Sequence, residues 1–310
     1  MDTLQNMRIF ARVVEAGSFT AAAQSLDSTT GAMSRAVSEL EAHLRTRLLN
    51  RSTRSHSLTP AGERYLQSSR KILADVDRAE EEASGAHERP AGTLRMVSFA
   101  SIGQHYVLPA IAKYRVQYPE VKVELNLSQS APDLIGSGSD VAVVVAPSLS
   151  DSDMVSYLLG STCSILCGSP EYIHLHGAPL QPSDLARHEC LTLNTPAFPT
   201  HEWPLEGPDG SDWIAVSGPL QVNIAESQVV AIREGMGIGA LPLYAAVEGL
   251  RNGTLVRVLP DHTLLKMNIY AVYPSRKFID AKTRTWVDFL RAHLPEVIAR
   301  DQAFLSAEPQ

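Results

Sequence analysis

The 310-residue sequence has only three cysteines, Cys163, Cys167 and Cys190. So sparse and odd a set supports no disulfide framework. Nowhere do about 18 apolar residues run together, so no membrane-spanning helix is expected. The opening Met1-Asp2-Thr3-Leu4-Gln5 lacks the basic-then-apolar layout of a secretory leader, and a soluble, cytoplasmic protein is the expectation. No Gly-x-Ser-x-Gly elbow, Walker loop or His-Glu-x-x-His is present, which argues against an enzyme. His174-x-His176 and Cys163-x3-Cys167 offer metal-ligand types, but neither has a second pair at zinc spacing, so no metal is expected. Gly235-x-Gly237-x-x-Ala240 matches the letters of a dinucleotide fingerprint. It follows a helical pattern and opens an apolar strand, the reverse of the order that motif requires, and reads as a tight turn. No cofactor is expected. Cys163 and Cys167 flank an apolar, strand-like run as buried thiols do, with no evident cationic neighbour to make them reactive.

Apolar residues make up 44% of the chain and charged residues 20%, enough for globular cores. The length fits two domains with a small third element. Charge is unevenly spread: residues 1–60 carry net +2, 61–90 net −2 and 91–310 net −7. Five arginines fall between Arg35 and Arg54, beside only Glu39 and Glu41. A basic stretch on an acidic chain points to a polyanionic partner.

Leu4, Met7, Phe10, Val13 and Val14 recur at helical spacing, Gly17 ends that helix, and Ser18 caps a short Ala-rich one from Phe19 to Leu26. After the polar turn Asp27-Ser28-Thr29, a third helix runs to about His43. Its Met33, Val37, Leu40 and Leu44 should face inward, leaving Thr30, Gly31, Ser34, Arg35 and Ser38 outward. Two helices around a tight turn, the second with a polar outer face, describe a helix-turn-helix that reads a major groove. Leu48 to Leu58 brackets a basic, hydroxyl-rich centre with apolar residues, the pattern of a two-stranded wing whose tip, Arg51 to Arg54, reaches phosphates or a minor groove. With Ser18, Thr20 and Thr29 at the helix starts and Ser52 and Thr53 in the wing, these residues are the expected contacts to double-stranded DNA.

Residues 1–65 resemble the winged helix-turn-helix of LysR-type transcriptional regulators. The match rests on Met7-Arg8-Ile9-Phe10, Val14 to Ala23, Ser34 to Glu41, Leu48 to Arg54 and Leu58-Thr59-Pro60-Ala61-Gly62. Two departures stand out. The family usually has Ser-Gln-Pro/Ser where this chain has Thr29-Thr30-Gly31, which removes an amide that reads adenine. Arg45 stands where a helix-ending glycine is usual.

Thr59-Pro60 starts a further helix. Tyr65, Ser69, Ile72, Val76, Ala79 and Ala83 step by four and three along it, a heptad seam on a rod of about 40 Å. It either lies on its own domain or pairs with a second copy; the resemblance implies pairing, and so a dimer or tetramer. Ala86 to Gly92 reads as a hinge.

Beyond it strands and helices alternate. Strands are expected at 93–97, 121–127, 141–145, 164–167, 190–193, 220–222, 238–241 and 266–273, and helices at 102–118, 132–136, 225–234 and 280–293. That is an α/β domain with mainly parallel sheets. Gly92-Thr93-Leu94-Arg95, Leu108-Pro109, Tyr118-Pro119, Asp140-Val141-Ala142, Gly235 to Gly239 and Leu241-Pro242 resemble, in order, the LysR effector domain. The resemblance implies a periplasmic-binding-protein-like domain over 92–300. One subdomain would take about 92–161 and 267–300, the other about 162–266, with a cleft between them. Residues 1–59 would be the DNA-binding head, 60–91 the linker helix and hinge, and 301–310 a tail.

Ligands of open α/β sheets sit beyond strand C-termini. That rule selects Ser98, Ser101, Ile102, Gln129 and Ser130 from one subdomain and Asn194, Thr195 and Asn223 from the other. The set holds hydroxyls and amides but no cation, so free N–H groups at the Ile102 helix start would hold any anion, and a small carboxylate or a neutral polar metabolite is expected. The implied function is a regulator whose promoter binding a small-molecule effector modulates, with RNA polymerase as a further partner. A two-lobed binding protein or enzyme leaves residues 1–88 unexplained, and a DNA architectural protein leaves the cleft unexplained.

Overall fold

Short polar side chains decide where the first helices begin. The computed structural model describes residues 2–51, 56–83, 89–129, 134–149, 154–194, 201–208, 210–274 and 279–307. Helices α1 (Thr3–Glu15), α2 (Phe19–Ser25) and α3 (Thr30–Leu44) each start behind a cap. Asp2 accepts from the Gln5 N–H at 3.0 Å, Ser18 from Ala21 at 3.1 Å and Thr29 from Ala32 at 3.2 Å. Each bond satisfies a donor that the helix end orphans.

The three helices close around Ile9, Phe10, Val13, Phe19, Ala22, Met33, Val37 and Leu40. Leu4, expected on the inner face of α1, is 39% exposed. The 3.6-residue repeat carries it round from the stripe centred on Phe10, and Ile9 takes its place. Helix α3 ends at Arg45, whose φ of +50° is left-handed, with the N–H groups of Arg45 and Thr46 bonded to the carbonyls of Ala42 and Glu41. Strands β1 (Leu49–Arg51) and β2 (His56–Leu58) pair antiparallel with Leu49 opposite Leu58. Helix α4 (Pro60–Ala83) begins behind Thr59, whose hydroxyl accepts from the Gly62 N–H at 2.9 Å and donates to the Arg47 carbonyl at 2.8 Å. A Cβ at Gly62 would run into the Leu48 carbonyl, so glycine permits this close crossing.

Strand β3 (Gly92–Phe99) runs straight into α5 (Ala100–Ile102), a π-helical turn (Gly103–Val107) and α6 (Leu108–Gln117). There follow β4 (Val121–Ser128), α7 (Leu134–Ser137), β5 (Val141–Ala146), β6 (Met154–Gly168), α8 (Pro170–His176) and a 3-10 turn (Pro182–Arg187). Next come β7 (Cys190–Leu193), β8 (Glu202–Gly207), β9 (Gly210–Ala215), β10 (Gln221–Val222), α9 (Ala225–Arg233), β11 (Ile238–Pro242) and α10 (Leu243–Arg251). Strands β12 (Val256–Val258) and β13 (Thr263–Pro274) and helix α11 (Ala281–Ala307) complete the described chain. By contacts the chain divides into two units, Met1–Arg89 with Asp133–Ser139, and Pro90–Pro132 with Asp140–Gln310.

Among the described residues, eleven strands of the second unit form one sheet. Strand β3 lies parallel between β4 and β5, and β7 parallel between β10 and β11. The long strands β6 and β13 lie between these triplets and pair antiparallel with each other, with β11 and with β5. The expectation of mainly parallel sheets therefore holds within the triplets and fails across the middle, where two strands pass from one half of the sheet to the other. Their register slips between Leu264 and Met267 and again between Ile269 and Tyr270. One core gathers Leu94, Ile102, Tyr106, Val143, Ile269 and Trp286; another gathers Ile165, Leu191, Val229, Leu241 and Ala246. Strands β6 and β13 thus run through both halves of this unit.

The expected end of the chain also needs correcting. The closing helix does not stop at His293: α11 passes through Pro295 to Ala307, so residues 301–307 are helix rather than tail. Burial holds the extension. Asp301 accepts from the Tyr106 hydroxyl at 3.0 Å and from Arg251 at 3.3 Å, while Phe304 and Leu305 pack on the second core. Gly160 lets this helix lie on β6, since a Cβ there would come within 2.7 Å of Ile298 Cδ1.

Arg45 stores local strain, because a left-handed residue with a Cβ costs about 1 kcal/mol relative to glycine. Arg45→Gly is expected to stabilise the protein by about that amount, read as a higher denaturant midpoint with unchanged slope.

Candidate functional site

Burial divides the surface of α3 in two. Met33, Ala36, Val37 and Leu40 point into the head, which leaves Thr30, Gly31 and Arg35 exposed and Ser34 half-buried on the other side. Thr20 and Thr29 are exposed nearby, and Ser18 is half-buried at its cap. Ser38 lies on the same helix but sends its hydroxyl to the Ser34 carbonyl at 2.8 Å, one turn back. The structure therefore brings together Thr30, Gly31, Ser34 and Arg35 as one polar, cationic strip. The backbone of Arg51 ends β1 beside His56; its side chain, and Ser52, Thr53 and Arg54, lie outside the described residues.

The wing is held to α3 by Glu41, a residue the sequence reading passed over as a mere counter-charge. Its Oε1 accepts the N–H groups of Leu48 at 2.8 Å and Leu49 at 3.1 Å, tying the strand entry to the end of α3. The acid at that position therefore reduces the basic stretch's charge without facing outward to do so.

In the second unit, the described members of the selected set lie at or shortly after strand ends but differ in availability. Ser98 is fully buried and donates to the Val143 carbonyl at 3.1 Å, so it serves the sheet. Ile102 is fully buried in the first core. Both are removed as ligand-facing side chains. Gln129 follows β4 and is exposed, while Ser130 lies outside the described residues. Asn194 and Asn223 are exposed just past the register pair Leu193–Val222, and Thr195 lies outside the described residues. Among the described members, Ser101 reaches across to the other half of the unit. Its hydroxyl donates at 2.7 Å to Oε1 of Glu226 on α9, and His105 Nε2 lies 3.1 Å from the same oxygen. Burial would raise the Glu226 carboxyl, but hydrogen bonds from His105 and Ser101 outweigh it and hold the group below its usual range. His105 and Glu226 were not singled out in the sequence, because nothing local joins positions 121 residues apart.

Comparison with known proteins follows this division. Residues 4–63 match the family model described as bacterial regulatory helix-turn-helix protein, lysR family, and residues 87–295 match the LysR substrate binding domain. The chain is 34% identical over 298 residues to the HTH-type transcriptional activator AaeR of Escherichia coli strain K12, spanning 96% of each chain. It is 32% identical to the HTH-type transcriptional regulator DmlR of the same strain over 94% of this chain and 95% of that one. The chain belongs to the LysR family of transcriptional regulators. Among solved structures, the full-length virulence activator AphB of Vibrio cholerae is similar with a TM-score of 0.67 and 28% identity, over 94% of this chain and 99% of that one. CrgA of Neisseria meningitidis is similar with a TM-score of 0.61 and 30% identity, over 94% and 98%.

For this LysR-type regulator the motifs set aside in the sequence also have structural answers. Gly235 turns at φ +74° and Gly237 passes against the Glu189 carbonyl, making a helix-to-strand joint between α9 and β11. His174 and His176 are exposed on α8, and His176 stacks on Tyr172 with centroids 4.4 Å apart. Among the described residues no group of three or more His, Cys, Asp or Glu is placed to hold a metal, and no helix is long and apolar enough to cross a membrane. Cys163 does have cationic neighbours, Arg257 and Lys266, which the sequence reading missed. Burial outweighs them and pushes its thiol up, and burial pushes Cys190 up to about 12.

Glu41→Ala leaves two strand N–H groups without their acceptor. It is expected to cost about 1–3 kcal/mol of stability in chemical denaturation, with faster hydrogen exchange at Leu48 and Leu49.

Proposed function

We propose that this regulator reads a pseudo-palindromic operator in double-stranded DNA as a dimer or dimer of dimers. The carrying observation is the one-sided burial of α3, which leaves Thr30, Gly31, Ser34 and Arg35 together on its free face. In this reading Arg35 and the hydroxyls meet base edges or phosphates in the major groove, with Ser18, Thr20, Thr29 and Ser38 at its margin. Arg51, Ser52, Thr53 and Arg54 reach the adjoining backbone. Residues 1–59 act as the head, 60–91 as linker and hinge, and 92–307 as the effector domain, with lobes near 92–161 plus 267–307 and 162–266.

The rod sets the spacing between heads. Helix α4 is 24 residues, about 36 Å, and Ile72 on its heptad seam is 42% exposed, with Tyr65 and Val76 half-buried. Ser69, also on the seam, and Leu66 and Leu73 beside it are buried within the chain itself. An apolar seam of this kind gains by pairing with a second copy.

Ser101, Gln129, Ser130, Asn194, Thr195 and Asn223 line the effector site in this account, and the ligand is a small carboxylate. Its binding favours one setting of the lobes over another, which requires different affinity for the two. The changed dimer then alters DNA bending or contact with RNA polymerase. The setting is the cytoplasm, where promoters and metabolites meet.

Arg35→Ala is expected to weaken operator binding about tenfold or more at fixed salt while leaving the melting temperature within a degree or two, measured by anisotropy and thermal denaturation. For the unchanged protein, log affinity should fall linearly with log salt. Ile72→Asp is expected to shift the chain toward monomer in sedimentation and to weaken operator binding with it.

A further inference from the structure

Glu226 lies second in α9, among residues packed on one core of the effector domain, whereas Ser101 and His105 follow β3 beside the other. One carboxylate oxygen therefore joins the two halves: Ser101 Oγ donates to Oε1 at 2.7 Å and His105 Nε2 stands 3.1 Å from it. The His105 and Glu226 side chains are each less than a quarter exposed. Tyr244 backs the cluster, with its ring centroid 5.9 Å from that of His105. Neither Ser98 nor Ile102 can offer a side-chain donor here, for reasons already given. The donors at this spot include a serine hydroxyl and an imidazole, with the Glu226 N–H and the Tyr244 hydroxyl beside them, a set that suits a carboxylate and already holds one.

A ligand carboxylate entering here would need the same two donors and would meet the Glu226 charge at van der Waals distance. Two carboxylates so placed do not both stay ionised and bound. Glu226 has the chemistry of the effector class proposed above, attached to the protein by its own backbone.

We infer that Glu226 is an internal ligand of the effector cleft, occupying the carboxylate subsite formed by Ser101 and His105 until a small carboxylate effector displaces it. This rests on the reading of that cleft as the effector site. Displacement frees α9 from Ser101 and His105, so ligand binding and release of the link between the halves become one event. The link lowers carboxylate affinity by the fraction of time the subsite is free, a conformational tax that removing Glu226 abolishes. It also sets specificity: a neutral amide, which brings no charge against Glu226, gains nothing from that removal.

The test uses the full-length protein with Glu226, E226Q and E226A, titrated calorimetrically with acetate, glycolate, succinate and benzoate and with the corresponding amides. Circular dichroism melts establish that each variant is folded. The expected result is that at least one carboxylate binds E226A ten or more times more tightly than the unchanged protein. E226Q should shift the same way, and no amide should change more than about twofold. Adding Ser101→Ala to E226A should then take most of the gain away. In the absence of any ligand, hydrogen exchange across residues 100–107 should be faster in E226A, because the link is gone.

Carboxylate affinity unchanged or reduced in E226A overturns the inference. So does unchanged exchange over residues 100–107. Amides binding all three proteins alike, without any carboxylate gain, would keep the cleft as an effector site and still overturn the internal ligand. Failure of every probe to bind any of the three proteins would count against both.

Discussion

The head depends on the burial of one stripe of α3. Met33, Ala36, Val37 and Leu40 fill the space offered by Phe10, Val13, Phe19 and Ala22, and Leu40 and Val37 are fully enclosed. Fully burying side chains of this size contributes roughly 1.5–3 kcal/mol each, far more than any single polar contact on the outer face. The helix cannot roll without giving that up. The direction of Arg35 is therefore set by residues it does not touch. Glu41 extends the same control to the wing by accepting two N–H groups of the strand entry, and Thr59 ties the start of α4 to the carbonyls of Arg47 and Leu48. Recognition helix, wing and rod form one continuous set of constraints.

The effector domain is organised differently. Its two parallel triplets each resemble a small open sheet; β6 pairs with one, β13 with the other, and the two long strands with each other. A change in the angle between the halves must pass through those strands, where the register already slips near Leu264–Met267. The Ser101–Glu226 bond spans the same two halves through side chains. Backbone strands and a side-chain carboxylate thus both connect the two halves.

Much of this was legible in the sequence where the information is local. The cap residues Ser18, Thr29 and Thr59 and the inner face of α3 follow from neighbours three and four positions away. Leu4 failed because its spacing admits two stripes, and only packing against the other helices selects the one containing Ile9. Helix α10 was not anticipated, although its apolar and polar residues do segregate at helical spacing. The β8–β9 hairpin was hidden by Pro204, Gly207 and Gly210, which read as loop. The closing helix was expected to end at His293, yet Leu294, Ile298 and Asp301 are buried and carry it through Pro295. Ser98 looked like a ligand contact because strand ends usually are; its neighbour Val143 had already claimed the hydroxyl. The Glu226 contact lay beyond any local pattern.

The free face of α3 should distinguish one duplex from another. Genomic fragments competed against scrambled duplexes of equal length and composition, with the full-length protein at roughly physiological salt, measure this. Specific sites should be retained about a thousandfold or more over scrambled duplex. Their protected footprints should show two half-sites about one helical turn, or a multiple of it, apart. Equal retention of both classes of DNA, however tight, would mean that α3 does not read sequence.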